Sequence, residues 1–369
     1  MSSRNFTDEQ LREIIALFQV YGDIQAVNRY GSGHINDTFK VDLSLGGVPV
    51  SYVLQRINDG IFTRPDRVME NIARVTTHIR GKFAGAADAT RRTLTVIPAR
   101  DGQPVARGPE GGWWRMYMFI AGARTIDLIE NADQARKAAR AFAGFQNALA
   151  DLPAPRLFET IPNFHNTLSR LEQLDTAAAE DKMGRKASVD DELAFVDAHR
   201  EEAGKIVKMM AAGEIPERIT HNDTKINNVM LDDATGEGVA VIDLDTVMPG
   251  CALYDFGDMV RTSTAAAAED EKDLSKVFSR KEYFEALVKG YLSEAKFLTD
   301  AEKENLAFSG RLITFTIGIR FLADYLAGDT YFRTAYPEHN LVRCRTQFKM
   351  VASMEAQKDE YEAIVRAGV

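Results

Sequence analysis

His221-Asn222-Asp223-Thr224-Lys225-Ile226-Asn227-Asn228, followed a short distance on by Ile242-Asp243-Leu244-Asp245, is the stretch on which the reading of this chain turns. Between them, Val229-Met230-Leu231 and Val239-Ala240-Val241-Ile242 read as two β-rich runs, and the turn-rich segment Asp232 to Gly238 joins them. A hairpin returns the chain to its starting edge, so Asp243 is expected near Asn228. If strand geometry continues past Ile242, Asp243 and Asp245 share a face, because strand side chains alternate with period two. Two carboxylates on one face suggest a cation.

That order of groups suits phosphoryl transfer. Moving the γ-phosphoryl of ATP to an alcohol needs a carboxylate beside the attacking hydroxyl and oxygen ligands that hold Mg²⁺ across the phosphates. In kinase catalytic loops the base Asp precedes a metal-binding Asn by five residues, and a second Asp follows the next hairpin. Asp223, Asn228 and Asp243 fit that layout. The bland alternative is a polar loop beside a surface hairpin, which the apolar strand ending in Asp-x-Asp makes much rarer.

The chain has 369 residues, 45% hydrophobic and 27% charged, which is ordinary for a globular protein long enough to hold two lobes. No apolar run approaches the roughly 18 residues that span a bilayer. The first ten residues carry no signal-peptide core. A cytoplasmic location with no membrane partner is therefore expected. Cys251 and Cys344 are the only cysteines and form no paired spacing, so neither a disulfide framework nor a zinc site is suggested. The net charge of -9 is uneven: residues 1–120 carry 15 Lys and Arg against 12 Asp and Glu, the remainder 30 against 42. The mildly basic first part suits nucleotide phosphates, and the acidic remainder disfavours nucleic acid as partner.

Thr7 with Gln10 makes a capping-box pattern ahead of Leu11, Ile14, Ile15 and Phe18 and predicts a first helix. Phe39–Leu43 and Tyr52–Ile57, flanking Gly46-Gly47, predict a hairpin. Val68, Ile72, Val75 and Ile79 predict a helix over 65–79, with strands at 94–97 and 114–120. After Gly122 the spacing predicts long helices over 133–149, 188–212, 281–293, 300–326 with a break, and 345–366. The expected fold class is α+β. A small β-rich nucleotide-binding lobe, residues 1–121, precedes a larger, mainly helical catalytic and substrate-binding lobe, residues 122–369, which carries the catalytic hairpin.

Supporting positions follow. Gly31, Ser32 and Gly33 precede the first hairpin strand, where small residues let backbone amides approach an anion; an ordinary turn reads equally well. Protein kinases carry a strand Lys that pairs with the nucleotide phosphates and a helix Glu, and none stands here. Arg56 either contacts phosphate or pairs with Glu70, or Gln55 points into the cleft instead; a surface Arg on an edge strand is the third alternative. The run through Met118 to Ile120 occupies the place where an interlobe connection passes an adenine ring, or is a buried core strand. A literal Asp255-Phe256-Gly257 lies beyond the catalytic hairpin, and Asp255 is expected either to buttress the catalytic loop or to cap a helix. Arg320, inside the apolar stretch 312–322, must be paired or line a polar pocket that Tyr331 closes; a surface salt bridge is the plainer alternative. His165 reads as a satisfied structural histidine.

With these residues in view, His221-x-Asp223-x4-Asn228 and Ile242-Asp243-x-Asp245 resemble the signature of the aminoglycoside phosphotransferase and choline kinase superfamily, whose members share a two-lobed protein-kinase-like fold. The longer strings His221 to Met230, Val241 to Gly250 and Tyr254 to Asp258 closely resemble bacterial N-acetylhexosamine 1-kinases, as do Gly31 to Thr38 and Ile161-Pro162-x-Phe164-His165. The resemblance spans nearly the whole chain. It implies ATP- and Mg²⁺-dependent phosphorylation of the anomeric hydroxyl of N-acetylglucosamine or N-acetylgalactosamine. By position it implies Asp223 as base and sugar contact, Asn228 and Asp243 as metal ligands, and His34, Arg320 and Tyr331 as sugar contacts. His221, Asp245 and Asp255 fall to structural support. An aromatic is expected near Arg261-Thr262-Ser263, where none stands. Two rivals remain: a kinase of the same fold acting on an aminoglycoside, choline, homoserine or methylthioribose, and a catalytically silent nucleotide-binding protein supported by the missing strand Lys alone. Cationic acceptors would be repelled by Arg320. Oligomeric state is not readable from the sequence.

Overall fold

The computed structural model describes residues 6–31 and 35–368. Along them α1 (Asp8–Ile15) leads into β1 (Asp23–Arg29), β2 (Asp37–Leu45), β3 (Val48–Ile57), α2 (Pro65–Lys82), β4 (Val96–Ile97), β5 (Ala106–Arg107), β6 (Trp113–Met118) and β7 (Ala123–Arg124). Then come α3 (Ala132–Leu149), α4 (Thr167–Glu180), α5 (Asp190–Ala203), α6 (Lys205–Ala211) and β8 (Arg218–Thr220). The pair β9 (Val229–Asp232) and β10 (Gly238–Val241) follows, then β11 (Met248–Gly250) and α7 (Ala252–Thr264). The chain closes with α8 (Lys281–Glu294), α9 (Asp300–Glu304), α10 (Leu306–Ala327), α11 (His339–Ala356) and α12 (Lys358–Gly368). This is the mixed fold expected, sheet-rich first and helical afterwards.

Two compact units emerge, and neither is one continuous piece of chain. The first joins Met1–Arg124, Asp151–Ile161 and Met230–Met248; the second joins Thr125–Ala150, Pro162–Val229 and Pro249–Val369. The β9–β10 hairpin thus counts almost wholly with the first unit, although it lies far beyond residue 121 in the sequence.

In the first unit a six-stranded sheet runs β1-β2-β3-β6-β4, with β5 also on β6. The capping box at Thr7 and Gln10 forms and starts α1. An isolated eight-residue helix is marginal in water, so packing must hold it. Leu11, Ile14 and Ile15 do so, burying with Phe39, Val41, Leu54 and Trp114 in one core, each large aliphatic contributing about 1.5–3 kcal/mol. The β2–β3 register sets Thr38 opposite Gln55, and the β3–β6 register sets Gln55 opposite Arg115. β3 is therefore an interior strand, which rules out an edge-strand Arg56. A second sheet, β10-β9-β7, carries an apolar cluster of Ile120, Ala123, Met230 and Ala240.

The second unit is built around α10, against which α4, α7 and α11 pack. Contrary to the sequence expectation, α10 is long and apolar enough to cross a membrane, but most of it is buried inside this unit, as a core helix is. The break expected within 300–326 falls at Asn305 between α9 and α10, and two further predicted helices are interrupted, at Gly204 between α5 and α6 and at Gln357 between α11 and α12. β1 and α4 form where no element was expected, and α7 begins at Ala252, ahead of the Asp255 that was one of two alternatives for a helix cap. α7 buries all but one of its residues, including Asp255 and Asp258, so it shows no polar stripe to announce a helix.

Gly257 explains the tight α7–α10 crossing. A Cβ there would lie 2.4 Å from the Ser309 carbonyl oxygen and 2.7 Å from Ile313 Cγ1. Overpacking a close helix contact costs about 1–3 kcal/mol. Gly257→Ala is therefore expected to lower the urea-unfolding free energy by about that amount, and an unchanged midpoint and slope would show that the contact is slack.

Candidate active site

In the second unit the loop from His221 to Asn228 is held from beneath by α7. Asp255 and Asp258 are three residues apart, so they lie on one face of the helix. The backbone N–H groups of His221 and Asn222 donate to the two carboxylate oxygens of Asp255 at 2.8 and 2.7 Å, and that of Thr224 donates to Asp258 at 2.8 Å. Thr224 Oγ1 donates to the Asp255 carbonyl at 2.6 Å. Asn222 takes a left-handed backbone (φ 65°), a conformation asparagine tolerates better than most residues. Asp255 is thus a buttress in the first turn of α7, whose N-cap is Cys251.

His221 is buried, its ring edge-on to Phe142 and Phe145 of α3. Its Nδ1 accepts the Asp223 N–H at 3.3 Å, which assigns it to shaping the loop. His165 reaches the Asn222 carbonyl through Nε2 at 2.9 Å, and burial pulls its pKa down to about 4. Its Nδ1 is buried without a hydrogen-bond partner, so it is only half satisfied.

The loop presents Asp223. One carboxylate oxygen lies 2.9 Å from Lys225 Nζ, and the other accepts from Asn228 Nδ2 at 3.1 Å. The side chain keeps 25% of its exposure. The Asp223 charge raises the pKa of Lys225 despite burial. Asn228 Nδ2 also donates to the Asp223 carbonyl at 2.8 Å. With its amide nitrogen fixed in this way, the amide oxygen faces the other direction, available to a hard cation. Lys225 was not singled out from the sequence, though its place two residues after Asp223 was a usable signal.

Arg320, on α10, lies over the rings of Phe164, Tyr331 and Phe332 at 5.0, 5.6 and 5.4 Å, with Nη2 3.4 Å from the Tyr331 hydroxyl. Among the described residues no carboxylate comes within salt-bridge distance of it, so the surface salt bridge is excluded. Arg170 stands near, its pKa pulled down to about 10 by burial and then by Arg320. Tyr331 is 57% exposed. Arg261, where an aromatic was expected, is buried instead between Asp258 at 2.9 Å and Glu269 at 3.0 Å. Burial alone would push Asp258 up, but the Arg261 guanidinium holds it below its ordinary value.

In the first unit the strand ends at Val241, and Asp243 turns left-handed (φ 57°) ahead of a short 3-10 turn, Leu244–Thr246. The expected strand continuation fails, so Asp243 and Asp245 do not form a pair of carboxylates on one face. Asp245 is buried and paired with Arg115 of β6, through Nη1 to Oδ1 and through Nη2 to Oδ2 at 3.1 Å. Its Oδ2 also accepts from Asn36 Nδ2 at 2.8 Å.

The positions expected on the phosphate side have these partners within the chain. Gln55 does not point free: its Oε1 accepts from Arg115 Nε at 2.9 Å and its Nε2 donates to Thr38 at 3.0 Å. Arg56 faces Glu110 at 3.8 Å and Asp59 at 3.9 Å, while Glu70 is exposed, so the Arg56–Glu70 pair does not form. The Met118 N–H is taken by the Thr95 carbonyl at 2.9 Å, and Ile120 packs in the apolar cluster. Gly31 is left-handed (φ 81°); Ser32, Gly33 and His34 lie outside the described residues.

Burial, opposed by His221 and the N–H donors, pushes Asp255 up to about 6. Because the folded value lies above the unfolded one, the contribution of this group is full below about pH 4 and is lost as pH rises through about 6, by at most about 3 kcal/mol. The stability gap between wild type and Asp255→Asn in urea is expected to narrow over that window. A gap that widens would refute the sign.

A model of the phosphotransferase enzyme family matches residues 26–283. Among solved structures, an aminoglycoside phosphotransferase from Alicyclobacillus acidocaldarius superposes with a TM-score of 0.57 at 13% identity, covering 100% of this chain and 97% of its own. A spectinomycin phosphotransferase in complex with ADP and spectinomycin gives 0.55 at 13% identity, covering 95% and 99%. An ethanolamine kinase from Plasmodium vivax gives 0.54 at 13% identity, covering 87% and 81%. At such identities the structures speak for the fold, and the family match speaks for membership. The chain that holds Asp223 between Lys225 and Asn228 belongs to the phosphotransferase enzyme family.

Proposed function

We propose that this phosphotransferase moves the γ-phosphoryl group of ATP to the anomeric hydroxyl of an N-acetylhexosamine, N-acetylglucosamine or N-acetylgalactosamine, giving the sugar 1-phosphate. The observation that carries the reaction class is the Asp223 carboxylate, partly exposed and oriented by Lys225 and Asn228. In this reading Asp223 orients the acceptor hydroxyl and takes its proton as the oxygen attacks phosphorus in line. An anomeric hydroxyl is more acidic than an ordinary alcohol, so the base has less to do. Lys225 keeps a fixed positive charge beside the base.

Asn228 enters the β9–β10 hairpin and Asp243 leaves it. An amide oxygen and a carboxylate are hard donors of the kind Mg²⁺ takes, so each residue by its own chemistry fits the ion the reaction calls for. When bound, the ion neutralises charge on the β- and γ-phosphate oxygens.

For the acceptor, Arg320 and Arg170 bring two guanidiniums to a half-buried set of rings with no acidic partner. That setting supports a neutral, hydroxyl- and amide-bearing acceptor and opposes a cationic one. The competing reading, a kinase of a cationic alcohol, draws on the names of the spectinomycin and ethanolamine enzymes of like fold.

Asp223→Asn is expected to lower kcat by about 10²–10⁴, with ADP affinity by calorimetry kept within about threefold; near-normal turnover removes the base assignment. Arg320→Ala is expected to raise the acceptor KM about tenfold, as for loss of one charged hydrogen bond, with the ATP KM unmoved. ³¹P NMR of products from a panel of N-acetylhexosamines, spectinomycin, choline and ethanolamine decides the acceptor. A phosphorus signal coupled to the anomeric proton is the expected result, and turnover of the cationic alcohols alone overturns the reading.

A further inference from the structure

Arg115 is among the most thoroughly buried charges in the chain, 1% exposed in the middle of β6. A buried guanidinium is tolerated only when its donors are met. Here Nε goes to Gln55 at 2.9 Å, and the two terminal nitrogens grip the two oxygens of Asp245. Such a two-pronged pair fixes the carboxylate in direction as well as in place, which a lysine's single ammonium cannot do. Asn36 adds a third bond to the same carboxylate at 2.8 Å, while its Oδ1 accepts the Asn58 N–H at 3.0 Å, so it too is held at both ends.

The object held is a turn. Asp243 is left-handed, Leu244 is buried, Asp245 is gripped by Arg115, and two residues later the Val247 carbonyl accepts from Asn71 of α2 at 3.1 Å. Asn71 is itself buried and holds the Phe158 carbonyl at 2.8 Å. The turn is thus pinned at 245 and at 247, immediately after the residue whose backbone takes the uncommon conformation. An aspartate adopts that conformation more readily than most residues, yet still at a cost, and it persists where the surroundings over-determine it.

We propose that Arg115, seconded by Asn36, is a positioning residue for Asp243: by fixing Asp245 it sets the left-handed turn and with it the affinity for Mg²⁺ of the nucleotide-loaded enzyme. This rests on the reading of Asp243 as a metal ligand. It accounts for the absent strand lysine in a new way. The most deeply buried cation among the described residues of the sheet sits one strand over from β3, opposite Gln55, and its charge is used on the metal turn instead of on the nucleotide.

The test is the dissociation constant of ADP by calorimetry, measured for each variant in excess MgCl₂ and again in EDTA. The ratio of the two values isolates the metal's part, which a general loss of packing would not move. Arg115→Lys is expected to shrink that ratio about tenfold and Asn36→Ala about threefold, with the EDTA value within about twofold of wild type. If Arg115→Lys does not fold, Asn36→Ala alone decides. Asp243→Asn is the reference: should it collapse the ratio while folded Arg115→Lys and Asn36→Ala leave it intact, the positioning role is wrong and the metal reading stands. Should Asp243→Asn leave the ratio intact as well, the metal reading fails and the positioning role falls with it.

Discussion

Two carboxylates on one face of α7 carry the loop from His221 to Asn228. A loop rich in exposed backbone amides is expensive to bury, since each unpaired N–H costs about 1–3 kcal/mol. Asp255 and Asp258 meet three of those groups at 2.7–2.8 Å. The aspartates are themselves met from behind: Asp255 by Gln146, which in turn accepts from Tyr291, and Asp258 by Arg261. Remove that layer and Asp223 has no defined direction. The placement of Asp223 therefore depends on residues 32 and more positions later, and on a helix whose glycine at 257 lets it approach α10.

The Asp-Phe-Gly at 255–257 shows how a motif can be literal and yet hold another office. Each of its residues is used: the aspartate on loop amides, the phenylalanine against Phe284 and Tyr291, the glycine at a backbone crossing. Both oxygens of the Asp255 carboxylate are occupied by hydrogen-bond donors of this chain.

What the sequence made legible was local and periodic. Thr7 with Gln10, the Gly46-Gly47 hairpin, and α2, α3 and α8 were readable because capping, turn chemistry and apolar spacing are written within a few residues. His221 to Asn228 was readable because its groups stand at fixed offsets. The direction of Asp245 was not, because one left-handed residue at 243 takes the chain out of strand geometry. Arg115 was passed over although a charge between Trp114 and Met116 on an apolar strand is itself a sign of a buried pair; its partner lies 130 residues away. Arg56 and Glu70 failed as a pair because α2 turns Val68, Met69 and Ile72 inward, which leaves Glu70 to solvent.

The first compact unit is closed by chain that is made late. Its sheet is complete in sequence by Met118, but the counter-charge for Arg115 arrives only at Asp245 and the acceptor for Asn71 only at Phe158 and Val247. A nascent chain ending near Arg124 carries a guanidinium destined for a dry interior with nothing to neutralise it, and breaking such a pair costs about 3–5 kcal/mol. The stability of the amino-terminal sheet is therefore tied to a residue encoded 130 positions after Arg115. The ion pair thus links the sheet to the turn after the hairpin, so a change at Asp245 is felt in the core of the amino-terminal sheet.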